Sequence, residues 1–258
     1  MATFHNQVAL ITGGSSGIGK ATALAFAKKG AKVAIAGRRK LEGEETVKFI
    51  QEQGGDAIFI QTDVSKAIEV KKLVSSVVNH YGALDIAFNN AGIQGPLKRL
   101  IDCTEAEFDS AINVNLKGVW LSMKYEISQM LKQGHGVIVN TSSSFGLLGV
   151  PTASFYAATK HGVEGLTKSA ALEYAKSGIR VNAVSPGSIE TPMLDRYFAN
   201  SKLFENPEKA RNEDKLLHPL GRFGKPEEVA DAVLWLCSNQ SSFVTGHSLA
   251  VDGGYIIQ

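Results

Sequence analysis

Thr12-Gly13-Gly14-Ser15-Ser16-Gly17-Ile18-Gly19 is the stretch that decides the fold. It follows an apolar run at 7–12 and opens a helical pattern at 17–29. A strand, a glycine-rich turn and a helix in that order make a cradle for phosphate. Without Cβ atoms the backbone turns sharply and approaches a pyrophosphate, and the helix N-terminus offers free N–H groups at its positive dipole end. The same residues fit G-x-S-x-G, with Ser15 as the nucleophile of a hydrolase elbow. That reading fails, because an elbow on the first strand has no upstream loop to supply an oxyanion N–H, and no Asp–His pair is marked.

Outward from this turn, short apolar runs alternate with helical stretches. Segments 32–36, 57–61, 84–88, 136–141, 180–185 and 248–251 read as strands. Segments 41–53, 66–81, 104–131, 155–176 and 226–236 read as helices, the last with Pro226 at its first turn. Near-continuous apolar strands suit a parallel sheet covered on both faces. Repeated strand–helix alternation implies right-handed βαβ units. The expectation is a single α/β domain over 1–258, a Rossmann-type doubly wound parallel sheet of about seven strands with helices on both faces. Segment 189–221 is polar and irregular, and reads as a lid that orders on binding.

Composition narrows the function. Of 258 residues, 27 are Lys or Arg and 25 Asp or Glu, a net charge of +2 that points to neither nucleic acid nor an anionic membrane as partner. Cys103 and Cys237 form no CxxC, and the six histidines form no HxxxH or HExxH pair, so no metal site is expected. No secretory pattern or bilayer-length apolar run is present, and a cytoplasmic protein is expected.

Further motifs follow in order. Asn89-Asn90-Ala91-Gly92 follows the fourth strand, Ser143 closes the fifth, and Pro186-Gly187 follows the sixth. Tyr156 and Lys160 stand four apart on a helix and share a face; none of the other five tyrosines has such a lysine. Taken singly, Tyr156 and Lys160 read as a solvated surface pair. Taken with T-G-x-x-x-G-I-G, and at this spacing, the set resembles the short-chain dehydrogenase/reductase family over essentially the whole chain.

The resemblance makes Tyr156 a general acid/base, Lys160 its tuner and Ser143 the group that steadies the substrate oxygen, and the chemistry is sound. A phenol titrates near ~10, and bringing it to neutrality needs about 4 kcal/mol. An ammonium about 4 Å away, in an effective dielectric of about 20, supplies that order of interaction. The run Ser142-Ser143-Ser144 leaves the register open by one, and the distance to Tyr156 favours Ser143. The family also holds a water through an asparagine of the long middle helix, which points to Asn115 over Asn113.

For the cofactor, the resemblance places Gly13, Ser15, Ser16, Gly17, Ile18 and Gly19 at the phosphates and Asp63 with Val64 at the adenine. It places Asn89, Ala91 and Gly92 on the ribose side, and Pro186, Gly187, Ile189 and Thr191 at the nicotinamide, which Tyr156 and Lys160 also approach. A carboxylate ending the second strand would bind a ribose 2′-hydroxyl. Here Gly37 stands in that place, followed by Arg38 and Arg39. A guanidinium grips a 2′-phosphate bidentately, so NADP(H) is expected over NAD(H). Ser16, basic in some NADP-using members, adds nothing to this.

The expected substrate wall is Gln94, Gly95, Pro96, Leu147, Leu148, Val150 and the segment 193–204 with Met193, Leu194, Tyr197 and Phe198, meeting Ser143 and Tyr156. Its apolar character implies an apolar or alicyclic ketone or secondary alcohol. Alternatives are a 3-oxoacyl-thioester reductase, poorly served by the scattered Lys124, Lys132 and Lys168, and a sugar or polyol dehydrogenase, which needs a more polar wall. A non-catalytic NADP-binding sensor is the reading of another class. Ala158, Gly162, Gly165 and Ser169 form a small-residue stripe roughly 200° round the helix from Tyr156. With the family's habit of pairing through this helix, it implies a homotetramer, with a dimer next.

Overall fold

A computed structural model describes residues 3–200 and 204–258, so 201–203 of the expected wall and lid lie outside the described residues. Seven strands form one all-parallel sheet. They are β1 (Val8–Thr12), β2 (Lys32–Gly37), β3 (Asp56–Gln61), β4 (Ile86–Asn89), β5 (Gly136–Thr141), β6 (Ile179–Pro186) and β7 (Ser248–Val251). Their order is β3-β2-β1-β4-β5-β6-β7. The helices are α1 (Gly17–Lys28), α2 (Lys40–Glu52), α3 (Ala67–Tyr81), α4 (Glu105–Ala111), α5 (Gly118–Gln133), α6 (Ser154–Tyr174), α7 (Pro192–Asn200), α8 (Pro207–Leu216) and α9 (Pro226–Cys237).

The strands are apolar on both faces because both are covered, and the period-two alternation sorts their residues. Ala9, Ile11, Val33 and Ile35 pack with Phe26 of α1, Ile50 of α2 and Val229 and Val233 of α9. Val8, Leu10, Ala34 and Ala36 pack on the opposite side with Leu73 and Val77 of α3, Met123 and Ile127 of α5 and Val163 of α6. Phe26 is fully buried and stands edge-on to Phe4, 5.0 Å between centroids. Truncation to alanine there costs about 3–5 kcal/mol.

Two elements depart from the sequence reading. The long middle helix is interrupted by a π turn, Ile112–Lys117, between α4 and α5. The irregular segment contains α7 and α8, each with proline at its first turn (Pro192, Pro207) and α8 capped by Asn206 accepting from the Lys209 N–H at 3.0 Å. Their polar composition hides a narrow apolar stripe: Leu194 and Phe198 bury against Phe223.

Candidate active site

Strand order reverses between β1 and β4, and the loops leaving these strands part there, opening a crevice at the carboxyl ends. A cavity of about 780 Å³ fills it. Its floor is the glycine loop, with Gly13 and Gly17 at φ +69° and +52°, in the region that favours glycine. A Cβ on Gly19 would stand 2.3 Å from the Gly13 carbonyl oxygen, so Gly19 lets α1 close on the loop instead of lining the cavity.

The loop is tied to the end of β4. Thr12 Oγ1 accepts from the N–H groups of Asn90 (3.0 Å) and Ala91 (3.1 Å), and Asn90 Nδ2 donates to the Thr12 and Gly13 carbonyls. Asn90 lines the cavity and is the residue that sequence reasoning passed over. Asn89 was expected there and is not. Consecutive strand side chains point to opposite faces, and Asn89, 2% exposed, turns inward to donate to Glu126 Oε2 (2.9 Å) and Asn140 Oδ1 (3.1 Å). The same period of two, applied to Asn89-Asn90, was the available signal.

At the far end, Arg38, Arg39, Asp63 and Val64 line the cavity, joined by Val114, which the sequence did not mark. Arg39 Nη2 donates to Ser16 Oγ at 2.7 Å, so Ser16 anchors this arginine across the mouth. A Cβ on Gly37 would meet nothing closer than Ser15 Oγ at 3.5 Å. Burial raises the Asp63 carboxyl, but hydrogen bonds from Ser65 and the charges of Arg38 and Lys66 outweigh it and hold it below the usual range. A glycine floor, two guanidinium groups and an open end beside Gly37 fit a dinucleotide.

A second cavity of about 150 Å³ shares Ile18, Gly92, Gln94 and Thr191 with the first. Tyr156, Lys160 and Ser143 meet there, with Pro186, Gly187 and Ile189. Ser143 follows β5 and caps the 3₁₀ turn Ser144–Gly146, its Oγ accepting from the Phe145 N–H at 3.2 Å. Ser142 Oγ instead donates to the Lys160 carbonyl at 3.3 Å, while Ser143 lines the cavity with Tyr156 and lowers its phenol.

Lys160, 4% exposed, donates to the Thr141 carbonyl at 2.7 Å and lies 5.6 Å from the Tyr156 ring centroid. Burial pushes Lys160 down to about 8, with Glu164 pulling the other way. Burial pushes Tyr156 up to about 12, with the Ser143 bond pulling it down. The Lys160 ammonium is aimed at the Thr141 carbonyl, and desolvation is the larger influence on the phenol.

Asn115, on the π turn, is fully buried, and its side chain clamps the Ile93 peptide. Oδ1 accepts from the Ile93 N–H at 2.8 Å, and Nδ2 donates to the Ile93 carbonyl at 2.7 Å and to Thr159 Oγ1 at 3.4 Å. Such turns recur where a helix must re-aim side chains at a site. A Cβ on Gly92 would lie 3.4 Å from Asn115 Oδ1 and 3.9 Å from Lys160 Nζ.

Gln94, Met193, Leu194 and Tyr197 line the second cavity as expected, together with Phe145, Asp214, His218 and Tyr255. Leu147, Leu148 and Val150 do not; the 3₁₀ turn Ser144–Gly146 carries the chain outward, leaving Leu147 38% exposed. Phe198 packs under α7 against Phe223. Along α6, Ala158, Gly165 and Ser169 are exposed, while Gly162 packs on Leu116.

A dinucleotide crevice opening onto a half-buried tyrosine and a buried lysine and serine defines a Rossmann-type oxidoreductase. A family model described as enoyl-(acyl carrier protein) reductase matches residues 13–256. The chain belongs to the short-chain dehydrogenase/reductase family. It is 44% identical over 252 residues to cyclohexanol dehydrogenase of Acinetobacter sp., covering 98% of this chain and 96% of that one. A crystal structure of levodione reductase superposes with TM-score 0.94 at 38% identity, covering 97% of this chain and 98% of that one. A Brucella melitensis 3-ketoacyl-(acyl-carrier-protein) reductase complexed with NADH (TM-score 0.90, 36% identity, 99% and 100% covered) is also similar. So is an actinorhodin polyketide ketoreductase with NADPH (TM-score 0.93, 37% identity, all of both chains covered). Among the described residues no helix is long and apolar enough to cross a membrane.

Proposed function

We propose that the protein interconverts an alicyclic ketone and its secondary alcohol, using NADP(H) in preference to NAD(H). The observation that carries the reading is the convergence of Ser143, Tyr156 and Lys160 on a cavity of about 150 Å³ contiguous with the dinucleotide crevice. Phe145, Met193 and Leu194 give the cavity an apolar wall suited to a hydrocarbon ring. Similarity to a cyclohexanol dehydrogenase and to levodione reductase supports the same class.

The bound nicotinamide supplies or accepts the hydride. Tyr156, which holds its proton well above neutral pH, donates it to the carbonyl oxygen as charge develops there. Ser143 Oγ–H bonds the same oxygen. Lys160, buried beside them, adds positive charge, and Asn115 fixes the Ile93 backbone that borders both cavities. In the reverse direction Tyr156 must lose its proton. Alcohol oxidation therefore rises with pH where ketone reduction falls, which a pair of pH–rate profiles checks.

For the cofactor, Gly37 leaves room and Arg38 and Arg39 supply charge-assisted donors. One or two such bonds, at ~1.5–3 kcal/mol each, make a tenfold or larger preference. Relatives with either dinucleotide are known, so the choice rests on these residues. The test is consumption of NADPH and NADH against aliphatic, alicyclic, aromatic and 3-oxoacyl-thioester carbonyls, with the Gly37→Asp/Arg38→Leu double variant alongside. Alicyclic ketones are expected to lead with NADPH, and the variant to prefer NADH. An unchanged NADPH preference in the variant would sink the cofactor assignment, and a thioester far ahead of the ring ketones the substrate assignment.

The exposed small-residue face of α6, with Phe108 and Trp120 exposed on α4 and α5, supports self-association as a tetramer, with a dimer next.

A further inference from the structure

The substrate cavity is not uniformly apolar. Besides Ser143 and Tyr156 its lining includes Tyr197 of α7, Asp214 of α8 and, near the C-terminus, Tyr255. A clamp around His218 holds two of them, Asp214 and Tyr255. His218 Nδ1 donates to the Asp214 carbonyl at 2.9 Å, and its Nε2 accepts from the Ser188 N–H at 3.1 Å. Ser188 Oγ donates to Asp214 Oδ2 at 2.7 Å. The ring of Tyr255 lies over His218, 5.1 Å between centroids. The Asp214 carboxylate is thus fixed on one oxygen, and among the described residues no donor is bonded to Oδ1. The Tyr197 and Tyr255 hydroxyls likewise have no hydrogen bond to a described protein group.

The three groups nevertheless feel one another. Burial and the nearby Asp214 charge raise both phenols, Tyr197 to about 12, so both remain donors at neutral pH. A carboxylate oxygen and two phenol donors lining one cavity, none satisfied by the protein, are a binding arrangement for a group that both donates and accepts. A hydroxyl does both; a methyl group does neither; a carbonyl oxygen would meet the phenols but face the carboxylate lone pairs. A hydroxyl there would also leave fewer partly buried polar groups unpaired.

We propose that Asp214, Tyr197 and Tyr255 form a second polar anchor that selects ring ketones and alcohols bearing a hydroxyl away from the reacting carbon. The proposal rests on the oxidoreductase reading above and names its substrate class: hydroxyketones and diols of a single ring.

The test compares kcat/KM for cyclohexanone, 4-methylcyclohexanone, 4-hydroxycyclohexanone and 4-aminocyclohexanone, with NADPH as reductant. The hydroxy ketone is expected to exceed the methyl ketone by ~10–100-fold, the range of a hydrogen bond to a charged group. The ratio, read within each protein, should collapse toward one in Asp214→Asn and fall by several-fold in Tyr255→Phe. The second variant removes one hydroxyl and leaves the Ser188 clamp intact, so it keeps the test valid if Asp214→Asn folds poorly. Turnover of all four ketones with a hydroxy-to-methyl ratio near one overturns the anchor alone. Preference for the amino ketone overturns the hydroxyl assignment in favour of a cation site. Tight NADPH binding with no turnover of any ketone overturns the ring-ketone reading itself.

Discussion

At the glycine loop the crevice is shaped by backbone; at the smaller cavity beside Tyr156 it is shaped by side chains from distant elements. Gly13, Gly17 and Gly19 occupy positions that a larger residue cannot take without moving the chain, and Thr12 and Asn90 tie that backbone to β4 within a few residues of the motif. The pocket beside Tyr156 draws on β5, α6, α7, α8 and the C-terminal turn, with Gln94 and Tyr255 separated by most of the chain. The first end offers few ways to change and keep a dinucleotide. The second can exchange Tyr197, Asp214 or Tyr255 while leaving the sheet alone, so specificity has room to vary there.

Substitutions break or sharpen this contrast. The largest effect is expected for Lys160→Ala, which removes the buried ammonium and leaves the Thr141 carbonyl without its donor. Turnover should fall by ~10²–10⁴, the range for loss of an acid–base group, while the phosphate-end contacts persist. Steady-state kinetics beside a cofactor titration would separate the two, and equal loss of both would erase the distinction.

Glu126 lies behind the cleft, fully buried, and burial pushes it up to about 7 against the lowering effect of the Asn89 bond. Its Oε1 and the Asn89 Oδ1 are both buried acceptors without a partner, and a proton on the carboxyl removes the cost of a buried charge. The folded pKa lies above the ordinary 4.5. The stability it permits is therefore full below the unfolded value and is lost as pH rises through about 7. Glu126→Gln supplies an N–H in place of that proton. Above neutrality it should be more stable than the parent by roughly 3 kcal/mol. Denaturant melts across pH 4 to 9 (a range set by ordinary carboxyl titration) would show it, and parallel curves would refute it.

Gly19→Ala should cost about 1–3 kcal/mol through overpacking and weaken NADPH binding about tenfold or more, because its Cβ meets the Gly13 carbonyl. Thermal melts with and without NADPH read both effects. The smallest effect belongs to Leu147→Ala on the exposed turn, where KM for ring ketones should stay within about twofold, since surface changes usually lie within ±0.5 kcal/mol. A large rise would return that turn to the substrate wall.

The same contrast explains how much was legible in the sequence. The strands, the sheet class and the glycine loop are written locally, because period and backbone restriction limit the residues allowed at each position. Ser143, Tyr156 and Lys160 were legible through the family resemblance, since the four-residue spacing on α6 by itself puts only Tyr156 and Lys160 on one face. Strand alternation could have told Asn90 from Asn89, but the motif alone put Asn89 at the crevice. Leu147, Leu148 and Val150 looked apolar enough for a wall, yet a 3₁₀ turn carries them outward. Asp214, His218 and Tyr255 carry no local pattern, since tertiary packing alone brings them to the pocket. The bond from Arg39 to Ser16 joins two residues 23 apart and was not legible in the sequence.

The account turns on Tyr156 passing a proton within that pocket. The most direct test is turnover of cyclohexanone with NADPH by the parent and by Tyr156→Phe, with NADPH binding followed by nicotinamide fluorescence on the same samples. Loss of ~10²-fold or more in turnover with binding affinity retained is the predicted result. Turnover of Tyr156→Phe at the parental rate would contradict it.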